Sequence, residues 1–158
     1  MKEQKTNVMR FLEKNKVSFT AREYPHGDEA VDGMTVAETC GLDPERVFKT
    51  LVARGASKEI YVFVIPVCCE LDLKKAAKAA GEKSVAMIHV SEITALTGYV
   101  RGGCSPIGMR KQYKTFYNDS ALMQETIMVS AGKIGYQVEL SPNELIRLTR
   151  GKTADLVI

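Results

Sequence analysis

The 158-residue chain is built from short apolar runs, each closed within a few residues by glycine, proline or a helix-capping side chain. Seven or eight segments of strand character alternate irregularly with short helical ones, and no strand–helix–strand rhythm repeats. Such punctuation points to an α+β fold with a mixed, barrel-like central sheet surrounded by short helices. The length suits a single domain over residues 1–158, since a chain of this size buries a sizeable core by itself.

Local patterns set the expected elements. Val8, Phe11 and Leu12 fall on one helical face, and Val17, Phe19 and Ala21 alternate as in a strand. Thr35 followed by Glu38 has capping-box spacing, which predicts a short helix ending at Gly41, and Asp43-Pro44 opens one further turn. Val47–Ala53 and Ile60–Val67 read as strands, Leu71–Ala80 as a helix stopped by Gly81, Val85–His89 as a strand and Ser91–Leu96 as a short helix. Thr115–Tyr117 reads as a further strand. Thr126–Ser130 and Gly135–Leu140 form a hairpin around Ala131-Gly132-Lys133, Ser141-Pro142 starts a helix ended by Gly151, and Ala154–Ile158 is a last strand.

Composition narrows the function classes. Apolar residues make up 45% and charged residues 26%, and no stretch reaches the roughly 20 apolar residues of a membrane span. The polar start, Met1–Arg10, lacks the apolar segment of a secretion signal, so a cytoplasmic location is expected. Cys40, Cys68, Cys69 and Cys104 have no metal-ligand spacing, and on a regular strand the adjacent Cys68 and Cys69 would face opposite ways. With only His26 and His89 to join them, no metal or other cofactor is expected. The net charge is only +3, but Tyr99–Asn118 carries Arg101, Arg110, Lys111 and Lys114 with no acidic residue. That stretch suits either a solvated basic loop or contact with phosphates.

Three places could carry chemistry. Lys49 shares a strand face with Val47 and Leu51, where its ammonium needs solvent, a partner or a ligand. The loop Gly102-Gly103-Cys104-Ser105-Pro106-Ile107-Gly108 can bring backbone N–H groups close to a ligand, or can be a plain tight loop. Neither Cys104 nor Ser105 has a histidine placed by sequence to activate it, which argues against a nucleophilic triad. Val129-Ser130-Ala131-Gly132-Lys133 offers a hydroxyl and a lysine, either in an ordinary hairpin or on another wall of one pocket; Tyr24 and the Asp28–Gly33 loop are equally open.

Four stretches together resemble the YbaK/EbsC family of aminoacyl-tRNA editing proteins: Gly41–Leu51 (GLDPERVFKTL), Leu71–Ala79 (LDLKKAAKA), Thr97–Gly108 (TGYVRGGCSPIG) and Glu125–Lys133 (ETIMVSAGK). The resemblance covers nearly the whole chain and lies nearest the members that clear cysteine from tRNA(Pro). It implies that Lys49, Gly102 and Gly103 are catalytic. It also implies that Tyr24, Thr50, Cys104, Ser105, Pro106 and Ser130 bind substrate, with N–H groups of the glycine loop facing the aminoacyl carbonyl. One departure is Val31-Asp32-Gly33-Met34, where close relatives have a Phe-Gly-Asp type segment.

The same resemblance implies a trans-editing deacylase for Cys-tRNA(Pro) in which the substrate's own thiol attacks its ester. An alanine-specific hydrolytic deacylase and a non-catalytic regulator binding tRNA or a synthetase are the alternatives. Aminoacyl-tRNA is the implied partner, with prolyl-tRNA synthetase joining a transient ternary complex.

Overall fold

The computed structural model describes residues 5–25 and 31–158; His26 and Asp28, named above, lie outside the described residues. Eight strands and five α-helices are found among the described residues. In chain order they are α1 (Asn7–Lys14), β1 (Phe19–Glu23), α2 (Gly33–Cys40), β2 (Phe48–Gly55), β3 (Ile60–Pro66), α3 (Leu73–Ala80) and β4 (Val85–Met87). Then follow α4 (Ile93–Thr97), β5 (Lys114–Asn118), β6 (Ile127–Lys133), β7 (Tyr136–Leu140), α5 (Pro142–Thr149) and β8 (Lys152–Ala154). Short 3₁₀ turns at Pro44–Arg46, Val90–Glu92 and Asp119–Met123 join some of them.

The α+β class and the mixed sheet are as expected, but the strands form two sheets and not a closed barrel. One sheet has the order β1-β7-β6 and is antiparallel; the other runs β4-β2-β3-β5-β8, with β5 parallel to both neighbours. Among the described residues a single bridge, Val47 to Met128, joins the two sheets. Alternation along β2 and β3 divides the core. Phe48, Val62 and Val64 face α1, α5 and the small sheet, where they pack with Leu12, Ile127, Val138 and Leu145. Ala53, Tyr61, Phe63 and Ile65 face the other way, against Ala76 and Ala77 of α3. A third cluster, Tyr24, Val36, Val47, Val67 and Met128, sits where α2 meets the junction between the sheets.

Several local expectations are corrected. The buried face of α1 is Val8, Met9 and Leu12, whereas Phe11 is exposed. The cap of α2 is Asp32, which accepts the Thr35 N–H at 3.0 Å; the Thr35/Glu38 spacing is not used. Ala131-Gly132-Lys133 is not the hairpin turn but an irregularity inside β6, a register shift between Ser130 and Lys133. Arg150, at φ 54°, and not Gly151, caps α5. Cys68 and Cys69 lie beyond β3 on a turn closed by the Cys69 N–H to Pro66 C=O bond. Their sulfurs therefore approach to 3.9 Å, where strand geometry would have kept them apart.

One polar cluster ties the two sheets near that junction. Glu139 of β7 accepts from Arg22 of β1 at 2.7 Å, from Arg46 at the entry to β2 at 2.7 Å, and from Thr126 at the entry to β6 at 2.5 Å. Burial opposes its charge, but the Thr126 hydroxyl and the two guanidiniums outweigh burial and hold its carboxyl below the usual range. A carboxylate depressed in the folded state contributes stability that is complete above the unfolded pKa, about 4.3, and is lost as pH falls through the lower folded value. Glu139→Gln is expected to cost about 1–3 kcal/mol at pH 7. Urea unfolding should show the gap between variant and wild type narrowing as pH drops below about 4.3.

Candidate active site

The site arises from a mismatch in strand lengths. β2 pairs with β3 along its whole length, but β4 meets it only at Ala53–Gly55. The Val67 N–H bonds the Val47 carbonyl, so in this antiparallel ladder the odd-numbered residues of β2 bond to β3. The N–H and C=O groups of Phe48, Thr50 and Val52 therefore turn to the opposite edge. There the Val52 carbonyl is met by the Ile88 N–H at 3.2 Å, and β6 approaches at Val47. Between these two points the edge is uncovered, and a pocket of about 390 Å³ opens beside it. Its walls are largely apolar, from Val36, Val67, Met87, Ile88 and Ile93, with a small number of polar groups converging on them.

Six of the expected residues line this pocket: Tyr24, Lys49, Thr50, Gly102, Cys104 and Ser130. Lys49 and Thr50 lie on opposite faces of β2, yet both reach the pocket because it wraps around the strand edge. Lys49 is half-buried and has no hydrogen-bonded or ion-paired partner among the described residues. The Thr50 hydroxyl oxygen is buried without a partner among the described residues, a state that costs about 1–3 kcal/mol unless a ligand relieves it. Tyr24 is buried in the third cluster, and Ser130 accepts the Gly132 N–H at 3.1 Å.

Gly103, Ser105 and Pro106 stand behind the wall, not in it. The Gly103 N–H donates to Val100 C=O at 3.0 Å, so it is not turned to the pocket. Gly103 is needed for closeness instead: a Cβ there would lie 3.1 Å from the Ile134 nitrogen. The Ser105 hydroxyl is buried and accepts the Ile107 N–H at 3.3 Å. The N–H groups of Gly102, at φ 85°, and of Cys104 have no partner among the described residues, and both residues line the pocket.

Among the described residues, no lining cysteine, serine or threonine has a histidine or carboxylate hydrogen-bonded to it. Burial pushes the Cys104 thiol up to about 11, with Thr97 opposing only in part, so it is protonated at neutral pH. His89 caps the turn Val90–Glu92 and is not among the lining residues. Among the described residues no three His, Cys, Asp or Glu side chains are grouped to hold a metal, and no helix is long and apolar enough to cross a membrane.

Two polar lining residues were missed by sequence reasoning. Gln137 pairs with Ser130 across β6 and β7, and a polar residue in a strand reads as solvent-facing. Arg101 was assigned only to the basic stretch, but it lines the pocket beside Gly102.

Residues 29–148 match the aminoacyl-tRNA editing domain family. Over 154 residues, 98% of this chain and 94% of the relative, the sequence is 46% identical to EbsC of Enterococcus faecalis, named as a candidate Cys-tRNA(Pro)/Cys-tRNA(Cys) deacylase. The uncharacterised protein YwhH of Bacillus subtilis is 28% identical over 116 residues, 73% of each chain. Among solved structures, a candidate trans-editing enzyme for prolyl-tRNA synthetase superposes with a TM-score of 0.82 at 23% identity, covering 99% of both chains. At that identity the likeness speaks for the fold alone. The chain belongs to the aminoacyl-tRNA editing domain family and is an aminoacyl-tRNA deacylase. The resemblance to the YbaK/EbsC group read from the sequence is borne out.

Proposed function

We propose that the protein clears cysteine from mischarged Cys-tRNA(Pro) in trans, using the substrate's own thiol as the nucleophile. The carrying observation is a pocket with, among the described residues, an unpaired lysine, free N–H groups and a lining thiol that is held protonated. A cysteine thiol with a pKa of about 8.5 has a usable thiolate fraction near neutral pH, so the missing nucleophile comes with the substrate. The sulfur attacks the ester carbonyl and the S–C bond forms. The oxyanion then collapses, the ester C–O bond breaks, and the ribose oxygen takes up a proton and leaves with the RNA. The aminoacyl group departs as a cyclic thiolactone that water opens later.

In this mechanism the unpaired N–H groups of Gly102 and Cys104 receive the oxyanion, and Lys49 holds the phosphate and ribose of the terminal nucleotide against them. Thr50 and Ser130, with Tyr24 behind them, shape the amino-acid end. The apolar walls limit water at the carbonyl. The name of the Enterococcus relative supports cysteine as the amino acid, and that of the structural neighbour supports work beside prolyl-tRNA synthetase in a transient ternary complex. A cytoplasmic location goes with that partner.

Deacylation of Cys-tRNA(Pro) and Ala-tRNA(Pro), each measured with the purified protein, tests the substrate. Preferential loss of cysteine supports the reading. Preferential loss of alanine would require an enzyme-held water and overturn it, and inactivity on both would leave a binding protein. Cys104→Ser keeps the backbone N–H and should lose less than roughly ten-fold in kcat/KM. A folded but inactive Cys104→Ser protein would make that thiol the nucleophile.

A further inference from the structure

A second cleft, of about 250 Å³, opens between the start of α1 and the end of β6. Lys5, Arg10 and Lys133 line it, and no carboxylate does among the described residues. Lys5 is paired with Glu13 at 3.0 Å. Arg10 bonds only Asn7, at 3.1 Å, and the Lys133 ammonium lies 5.3 Å from the Tyr136 ring; neither has an acidic partner among the described residues. The start of α1 adds its positive end, since Thr6 caps Met9 while Asn7 and Val8 line the cleft. Gly132, at φ 90°, lies so close to Tyr99 that a side chain would meet its ring at 2.9 Å, which fixes that wall.

The cleft is placed relative to the active site by the irregularity in β6. Ser130 turns into the active-site pocket, whereas Ala131, Gly132 and Lys133 line the cleft. At about 3.3 Å per residue, Lys133 is at most roughly 10 Å along the strand from Ser130. A stacked nucleic-acid strand covers that distance in about three nucleotides. Gly103 packs on the backbone of Lys133, and its neighbours Arg101 and Gly102 line the pocket. Exposed cations thus lead from Arg101 through Lys133 to Arg10.

We propose that this cleft binds backbone phosphates of the single-stranded 3′ end of the RNA, a few nucleotides before the ester. The inference rests on the deacylase reading for the identity of the RNA. Phosphate contacts position a strand without reading its sequence, which suits a protein that must hold a 3′ end while the chemistry depends on the amino acid.

The test is binding of an uncharged RNA hairpin with a single-stranded CCA 3′ end, titrated over a range of salt, to wild type and to the double variant Arg10→Ala/Lys133→Ala. For a single strand each lost phosphate contact flattens the plot of log affinity against log salt by about 0.7. The double variant should therefore lose about 1.4 in slope and, at low salt, on the order of ten-fold in affinity. With cysteinylated tRNA the same loss should fall on KM and not on kcat. The charge-keeping pair Arg10→Lys/Lys133→Arg should restore the slope. An unchanged slope in the alanine variant, or no restoration by the charge-keeping pair, overturns the proposal. A wild-type protein that binds the hairpin with the full slope but cleaves no aminoacyl ester would sink the deacylase reading and leave the cleft standing.

Discussion

Replacing Lys49 by alanine is expected to lower kcat on Cys-tRNA(Pro) by about 10²–10³-fold while leaving the fold intact. The size is that of removing one preorganised charge or donor from a reacting centre. The small structural effect follows from the surroundings of the side chain. It is half-buried on β2, and no described residue is ion-paired or hydrogen-bonded to it, so its removal leaves no carboxylate stranded. The unfolding midpoint should shift by no more than a surface substitution would cause, within about 0.5 kcal/mol. Lys49→Arg keeps the charge on a broader head and should recover binding better than turnover. Near-wild-type turnover by the alanine variant would remove Lys49 from the mechanism.

Discrimination between cysteine and serine on the same tRNA should be equally large. The two substrates differ by sulfur against oxygen at the end of the side chain, and a pocket sensing shape alone separates such pairs by about 1–3 kcal/mol, or 10–200-fold. Both side chains close a four-membered ring, but a serine hydroxyl is hardly ionised at neutral pH, whereas a thiol supplies a usable thiolate fraction and its longer C–S bonds ease the closure. The pocket walls are largely apolar, and Cys104, the one thiol among the described lining residues, is itself held protonated. Single-turnover rates for the cysteinyl and seryl esters should therefore differ by on the order of 10³-fold or more, with similar affinities. Comparable rates would mean that water or an enzyme group attacks the ester.

What the sequence made legible followed from local rules. Lys49 stood out because alternation placed a cation beside Leu51, and the structure keeps that register, with Lys49 opposite Ile65 and Leu51 opposite Phe63. Glycine and proline punctuation located most elements to within a residue or two. The errors lie where a non-local partner decides. Asp32 outcompetes Thr35 as a cap because its carboxylate receives both the N–H and the hydroxyl of Thr35. Met9 replaces Phe11 in the core because the small sheet approaches α1 from that side. The pocket itself depends on β4 stopping at Met87, and its short reach cannot be read from the alternation of β2. The same is true of Gly103, whose N–H is taken by Val100 three residues back, and of Gln137, drawn inward by its pairing with Ser130.

The central claim, that the attacking atom belongs to the substrate, is tested most directly by the identity of the first product. Cysteinylated tRNA(Pro) would be mixed with excess enzyme and quenched within the first turnover. Mass spectrometry would then look for the aminoacyl product, with an amine trap present and an enzyme-free control for direct aminolysis. A cyclic thiolactone, or its amine adduct above the control, is the predicted first product, with free cysteine appearing only afterwards. Free cysteine formed from the outset at the rate of tRNA release, with no trapped adduct, would contradict the account.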